Sequence, residues 1–231
     1  MGKNKKLIII PAYNEQESIL NTVTEIKQKV PDYDYIVVND CSRDATGRIC
    51  KENGLNHLDL PINLGIGGAV QTGYLYAWEN GYDVAVQVDG DGQHDPDYLV
   101  KMFTCLSSND ADMVIGSRFI ENKGFQSSAA RRMGISFFTF LLKALFGQQI
   151  TDATSGMRMC NRRAMELFVK DYPRDYPEPE TVARLLRHHF RVIEVPVIMR
   201  ERSGGVSSIS MRKSVYYMLK VSLSILIERL R

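Results

Sequence analysis

Residues 88–96, VDGDGQHDP, put three aspartates, two glycines and a histidine at the end of the β-rich run VAVQV. Carboxylates at this density repel one another unless a cation neutralises them. An EF-hand loop counted from Asp89 needs glycine sixth and glutamate twelfth; His94 and Val100 stand there, which excludes it. What remains is a D-x-D turn. Asp89, Asp91 and Gln93 offer oxygen ligands to Mg²⁺ or Mn²⁺, whose other positions would go to diphosphate oxygens and water. The glycines let the backbone turn tightly and a ligand approach. His94 reads as a residue orienting the turn, and Asp95–Pro96 as the start of the next helix.

Other polar stretches carry less by themselves. NLGIGGAVQTG (63–73) fails as a dinucleotide fingerprint, because Val70 stands where GxGxxG from Gly65 needs its third glycine, and no GK[ST] follows. Its glycines either bring a helix N-terminus near a phosphate or base, or allow close helix–sheet packing. In IPAYNE (10–15) and NDCSRDAT (39–46), Glu15 and Asp40 have the chemistry to bind a base and ribose; Ser42 and Asp44 have that of helix caps. Arg118, Arg131, Arg132, Arg158 and Arg202 are candidates for gripping phosphate with a guanidinium fork.

These residues need a frame. Short β-rich runs (7–10, 35–39, 57–60, 84–89, 112–117) alternate with helical stretches (14–30, 44–53, 68–81, 96–106), which predicts an α/β domain with a mostly parallel sheet flanked by helices. Ligands of such sheets bind at the carboxyl ends of the strands, where the unusual residues fall. The second half is less regular: helical patterns at 131–147, 165–172, 179–190 and 212–231, and one strand at 191–199.

Charge divides the same way. Residues 1–117 carry 9 Lys/Arg against 17 Asp/Glu, a balance of −8, so the net +2 leaves +10 on residues 118–231. Apolar segments interleave with that basic half, MGISFFTFLLKALFG and YYMLKVSLSILIERL. They are too short or too interrupted to span a bilayer, and read either as helices lying in a membrane interface or as buried core helices. The pattern favours an anionic membrane surface over nucleic acid. The apolar run before Pro11 is too short for a signal peptide. Cys41, Cys50, Cys105 and Cys160 are scattered with no CxxC pair, arguing for free thiols in a reducing compartment and against zinc.

Taken together, PAYNE (11–15), NDCSRDAT (39–46), NLGIGGAVQTGYLYA (63–77), DGDGQHDP (89–96), GSRF (116–119) and TDATSGMRMCNR (151–162) resemble family 2 glycosyltransferases of GT-A fold, and among them the dolichyl-phosphate mannosyltransferase-like enzymes. The resemblance covers about the first 165 residues. It implies a GT-A, Rossmann-like domain over 1–210 with an amphipathic membrane-interface helix over 211–231. Asp89, Asp91 and Gln93 would surround the metal, with Asp91 catalytic. Pro11, Ala12, Tyr13, Glu15, Asp40, Gly68, Asp89 and Gly90 would surround the nucleotide. Arg118, Arg131, Arg132, Ser136 and Arg202 would face the lipid phosphate and donor diphosphate, Arg118 also serving catalysis. Asn39 and Cys41 depart from the family's usual Asp and Gly.

The chain is most similar to short bacterial forms. That likeness implies an inverting transfer of N-acetylglucosamine or glucose from a UDP-sugar to undecaprenyl phosphate, for cell-envelope polysaccharide modification. The enzyme would lie peripherally on the cytoplasmic side of the cell membrane, with a small separate integral membrane protein or a homo-oligomer as further associations. A phosphate acceptor is largely ionised at neutral pH and has little need of a strong base. Asp152 is the candidate if one is used, and a loop-holding hydrogen bond is its alternative role. A hydroxyl acceptor on a growing saccharide would need a base, which Glu178 or Glu180 could supply; a non-catalytic sugar-nucleotide-binding protein is the remaining alternative.

Overall fold

The computed structural model describes residues 4–121, 123, 129–200 and 211–230, with only the backbone of helix residues 129–131 and 211–215. Inside its sheet lies β1 (Lys6–Ala12), whose Leu7, Ile8, Ile9 and Ile10 are all buried. A strand covered on both faces carries a continuous apolar run instead of alternation. β2 (Asp34–Asn39) and β4 (Val84–Gln87) lie parallel on either side of it, and β3 (His57–Asp59) extends the sheet beyond β2. The far side holds β5 (Met113–Ser117), β6 (Arg158–Asn161) and β7 (Val192–Pro196), giving the order β3-β2-β1-β4-β6-β5-β7.

β6 alone is antiparallel, to β4 and to β5. Its reversal means that the loop entering it, 151–157, lies at the same edge as the loops leaving β1, β2, β4, β5 and β7. No strand is expected at 158–161 from the sequence. RMCN is short and opens on an arginine, the opposite of a buried-strand pattern.

Alternate residues of β1 feed two cores. Ile8 and Ile10 meet α1 (Ile19–Lys29), α2 (Thr46–Glu52) and α4 (Tyr98–Ser108) on one face. Leu7 and Ile9 meet α3 (Gly65–Glu79), α5 (Ala129–Phe146), α6 (Arg162–Lys170), α7 (Pro177–Arg187) and α8 (Met211–Leu230) on the other. α1 starts at Ile19, later than residue 14, because Asn14 takes a left-handed φ of 57° and residues 13–18 form a loop.

Both apolar C-terminal helices join this core along one face. In α5, Ile135, Phe138 and Leu142 are buried; in α8, Val221 and Ile225 are. The Phe138 ring meets Tyr217 edge-on at 5.5 Å. Glu228 near the end of α8 is buried and accepts a hydrogen bond from Arg184 Nη2 of α7 at 3.1 Å. Within the segment expected as a membrane-interface helix, α8 thus packs one face on the domain. Its opposite face, with Leu219 69% exposed and Leu223 59%, is bare, as are Met133, Phe137 and Phe140 of α5. No helix among the described residues is long and apolar enough to cross a membrane.

Candidate active site

The acidic turn leaves β4 at the sheet's carboxyl edge. Buried Gln87, the last residue of β4, donates from Nε2 to Asp89 Oδ1 at 2.9 Å. The Asp89 N–H donates to His94 Nδ1 at 3.0 Å, and His94 Nε2 lies 3.8 Å from Asp89 Oδ2. His94 thus braces the turn from inside, with its Nδ1 committed as an acceptor. Asp91 Oδ1 accepts the Gln93 N–H at 3.1 Å. Thr22 of α1 donates to the Gly90 carbonyl at 3.2 Å. A Cβ on Gly156 would stand 2.9 Å from Asp89 Oδ2, so any side chain there would require that carboxylate to shift.

Gln93 settles its own amide orientation. Its Nε2 lies 3.1 Å from the Arg200 carbonyl, a pure acceptor, which leaves Oε1 as the free end of the group. Two carboxylates and an amide oxygen in five residues make a hard-cation donor set suited to Mg²⁺ or Mn²⁺. Among the described residues no three His, Cys, Asp or Glu side chains converge on one point.

The loops after β1 and β2 interlock beside it. Asn14 N–H donates to Ser42 Oγ, and Arg43 N–H donates to Asn14 Oδ1. Asp44 accepts from Gln16 and Thr46 N–H, and Ser18 Oγ donates to Glu15 Oε2. Asn39 holds the β2 loop from both ends of its amide, accepting from Ser42 N–H and donating to Asp59 Oδ1 at 2.7 Å. Cys41 takes the left-handed φ of 56° that a glycine adopts more easily.

Asp40 is the buried cap of α3. Its Oδ1 accepts from Leu64 N–H at 2.6 Å and its Oδ2 from Gly65 N–H at 2.9 Å. Burial pushes its pKa up, against these two bonds. Pro11 and Ala12 line the same edge through their carbonyls, Ala12 accepting from Asp40 N–H, and the Tyr13 side chain is exposed.

For the glycines of 63–73 the packing alternative is the one realised at two positions. A Cβ on Gly73 would lie 2.2 Å from Ile9 Cγ2, and one on Gly67 would lie 2.1 Å from the Pro173 carbonyl. Gly68 faces Leu64 of its own first turn.

Beyond β5 the site turns basic. Arg118 donates from Nε to Asp152 Oδ2 and from Nη2 to Asp152 Oδ1, both at 2.7 Å, and its N–H adds a third bond. Asp152 is wholly buried. Each oxygen accepts two hydrogen bonds, Oδ2 from Arg118 Nε and N–H and Oδ1 from Arg118 Nη2 and Thr154 Oγ1, which fits the loop-holding role that stands as the alternative to a base. Asp152 orients Arg118. Glu194 of β7 holds the loop beneath, accepting from Thr151 and Asp152 N–H, while burial raises its pKa.

The reading of Arg158 is corrected. It is buried and spends its donors on the carbonyls of Ser155, Ala153 and Glu178 and on Thr181 Oγ1, so it builds the wall and does not grip phosphate. Of the two candidate bases in α7, Glu180 is turned to Arg184 and to Ser224 of α8, away from the edge. Arg132 and Ser136 of α5 do meet. With Phe119, Ile135, Thr139 and Thr151 they line a cavity of about 290 Å³. The Arg131 side chain and all of Arg202 lie outside the described residues.

Gln87, Gly156, Glu194 and Arg200 take part without having been expected. Only Glu194, an acid between apolar neighbours in a strand, carries a signal visible in the sequence.

This sheet, with an acidic turn at its carboxyl edge and one reversed strand beside it, is the GT-A arrangement. The profile of Glycosyl transferase family 2 matches residues 7–168, and the chain belongs to that family. It is 33% identical over 213 residues to undecaprenyl-phosphate mannosyltransferase of Micrococcus luteus, covering 88% of this chain and 87% of that one. To UDP-N-acetylglucosamine–dolichyl-phosphate N-acetylglucosaminyltransferase of Methanococcus voltae it is 34% identical over 183 residues, covering 70% and 71%. Glucosyl-3-phosphoglycerate synthase of Mycobacterium tuberculosis, solved with Mn²⁺, uridine diphosphate and phosphoglyceric acid, shares the fold at a TM-score of 0.72 and 16% identity, over 98% of this chain and 78% of that one.

Proposed function

We propose that the protein transfers a sugar, N-acetylglucosamine or glucose, from a UDP-sugar to a polyprenyl phosphate, undecaprenyl phosphate in a bacterium, with inversion at the anomeric carbon. The observation that carries this is the pairing of Asp152 with Arg118 beside the cavity of Arg132 and Ser136. Both Asp152 oxygens are already engaged, by Arg118 and by Thr154 Oγ1. A phosphate monoester, with a second pKa of about 6, arrives already ionised and needs no proton taken. A saccharide hydroxyl would need a base, so the arrangement favours the phosphate. The relatives named above support a polyprenyl-type acceptor, and they divide between mannose and N-acetylglucosamine as the sugar.

In this mechanism Asp89, Asp91 and Gln93 would hold Mg²⁺ or Mn²⁺, which when bound would supply Lewis-acid stabilisation of the departing diphosphate. Pro11, Ala12, Tyr13, Glu15, Asp40 and Gly90 form the nucleotide's side of the edge, with Gly68 at the first turn of α3. Arg132 and Ser136, with Arg131 and Arg202 as further basic residues, orient the acceptor phosphate for in-line attack. Arg118, fixed by Asp152, would serve catalysis from the end of β5. The bare faces of α5 and α8 would rest on the cytoplasmic membrane surface, where the lipid acceptor is reached. They are also the place to seek a small integral membrane partner or a second copy.

The test is a screen of radiolabelled UDP-N-acetylglucosamine, UDP-glucose and GDP-mannose against undecaprenyl phosphate in detergent. A label extractable into organic solvent, dependent on divalent cation and lost in Asp91→Ala, is the expected result. Transfer from GDP-mannose alone would overturn the UDP assignment, and transfer only to saccharide hydroxyls would overturn the acceptor.

A further inference from the structure

Beyond β7 the chain continues as a strap, Val197–Arg200, across the same edge. Val197 N–H donates to the Ser117 carbonyl at 3.0 Å, and the Val197 and Met199 side chains are buried in the core of the α1 face. Arg200 ends the strap in a latch. Its Nη1 and Nη2 donate to the two Glu25 oxygens at 2.8 and 2.9 Å, and Nη2 also lies 2.7 Å from Asp95 Oδ2. Lys29 binds the same two acids, at 3.2 and 2.8 Å, and Asp97 at 2.6 Å. Five charged side chains thus tie α1, the acidic turn and the strap together. The Arg200 main chain meets Gln93 twice: its N–H donates to the Gln93 carbonyl at 3.0 Å, and its carbonyl accepts Gln93 Nε2 at 3.1 Å.

We propose that Arg200 is a positioning residue for the divalent cation: its latch holds the strap's carbonyl against Gln93 Nε2 and so leaves Oε1 as the amide end available beside Asp89 and Asp91. Any one of these half-exposed ion pairs would contribute little alone. A bidentate fork within a five-member network, backed by two main-chain bonds to one residue, is a different case, because it fixes an orientation. Groups that orient metal ligands from behind matter to the ion about as the ligands do, typically tenfold to a hundredfold in affinity. The inference rests on the reading of Asp89, Asp91 and Gln93 as the cation's ligands.

The experiment measures Mn²⁺ affinity, not turnover, by the free-ion electron paramagnetic resonance signal in the presence of UDP, and of GDP in parallel. Arg200→Ala should weaken Mn²⁺ binding by about tenfold, and Glu25→Gln should shift it the same way by less. In a Gln93→Ala background Arg200→Ala should change it less than about twofold, since the two act through one oxygen. Arg200→Lys, which keeps charge but not the fork, should fall between. An Arg200→Ala affinity equal to wild type, with Asp91→Ala losing the ion, overturns the proposal; so does an effect undiminished in the Gln93→Ala background. If Asp91→Ala and Gln93→Ala both bind Mn²⁺ normally, the cation reading itself has failed, and the inference with it. Should Arg200→Ala not fold, Glu25→Gln and Arg200→Lys, alone and with Gln93→Ala, decide the matter by the same comparison.

Discussion

Asp91 and Asp152 are aspartates at one edge of one sheet, and their surroundings assign them opposite tasks. Asp91 sits partly exposed on a glycine-flanked turn, with one oxygen on the Gln93 N–H. Asp152 is wholly buried and locked to Arg118 through both oxygens. Removing one charge of a buried pair strands the other, at about 3–5 kcal/mol. Asp152→Asn should therefore lower stability by about 3 kcal/mol, read as a shift in the urea midpoint. The protein that remains folded should keep the wild-type pH profile of transfer, whereas loss of a general base would remove a limb of that profile. Sequence placed Asp91 at a strand end but left Asp152 in a loop, as a base or a loop-holding group, because TDATSG does not reveal that Arg118 and Glu194 close around it.

At the scale of elements, α3 owes its place to glycines. With a Cβ at 2.2 Å from Ile9 Cγ2, Gly73→Ala should push the helix off β1 and cost about 1–3 kcal/mol, measurable by thermal or urea unfolding. The strap's latch has a pH signature. The Arg200 hydrogen bond, ahead of the opposing effect of burial, lowers the Glu25 pKa. A carboxyl depressed in the folded state adds stability that is present above its unfolded value, about 4.3, and is lost as pH falls through the folded one. Glu25→Gln should thus melt below wild type at pH 7, and the gap should close as pH falls below about 4. Of the elements, the first five strands and four helices were legible because apolar runs and turn residues alternate there. β6 was not, since its arginine is buried against carbonyls that no local pattern announces. The start of α1 was misplaced for want of any signal that Asn14 turns left-handed.

For the molecule as a whole, the proposed membrane contact rests on the division of charge and the bare faces of α5 and α8 together. Leu219 and Leu223 are exposed and off the core, so their joint change to glutamine should move the unfolding midpoint little. Binding to anionic vesicles should fall by about tenfold, as read by flotation, and added salt should weaken what remains. Deleting 212–231 would be a poorer probe, because it uncovers Val221, Ile225 and the partner of Arg184 along with the bare face.

The reversed strand has a consequence for the order in which the chain can be made. β5 touches β6 and β7 but not β4, so when the ribosome has released only the first five strands, β5 has no place in the sheet. β4 then ends the growing sheet as an open edge beside the acidic turn, of the kind that pairs with other chains. Only as residues 158–161 emerge does one short strand close that edge, seat β5 and bring Gly156 against Asp89. The nascent protein thus carries the acidic turn and an unpaired strand edge through the same interval of synthesis.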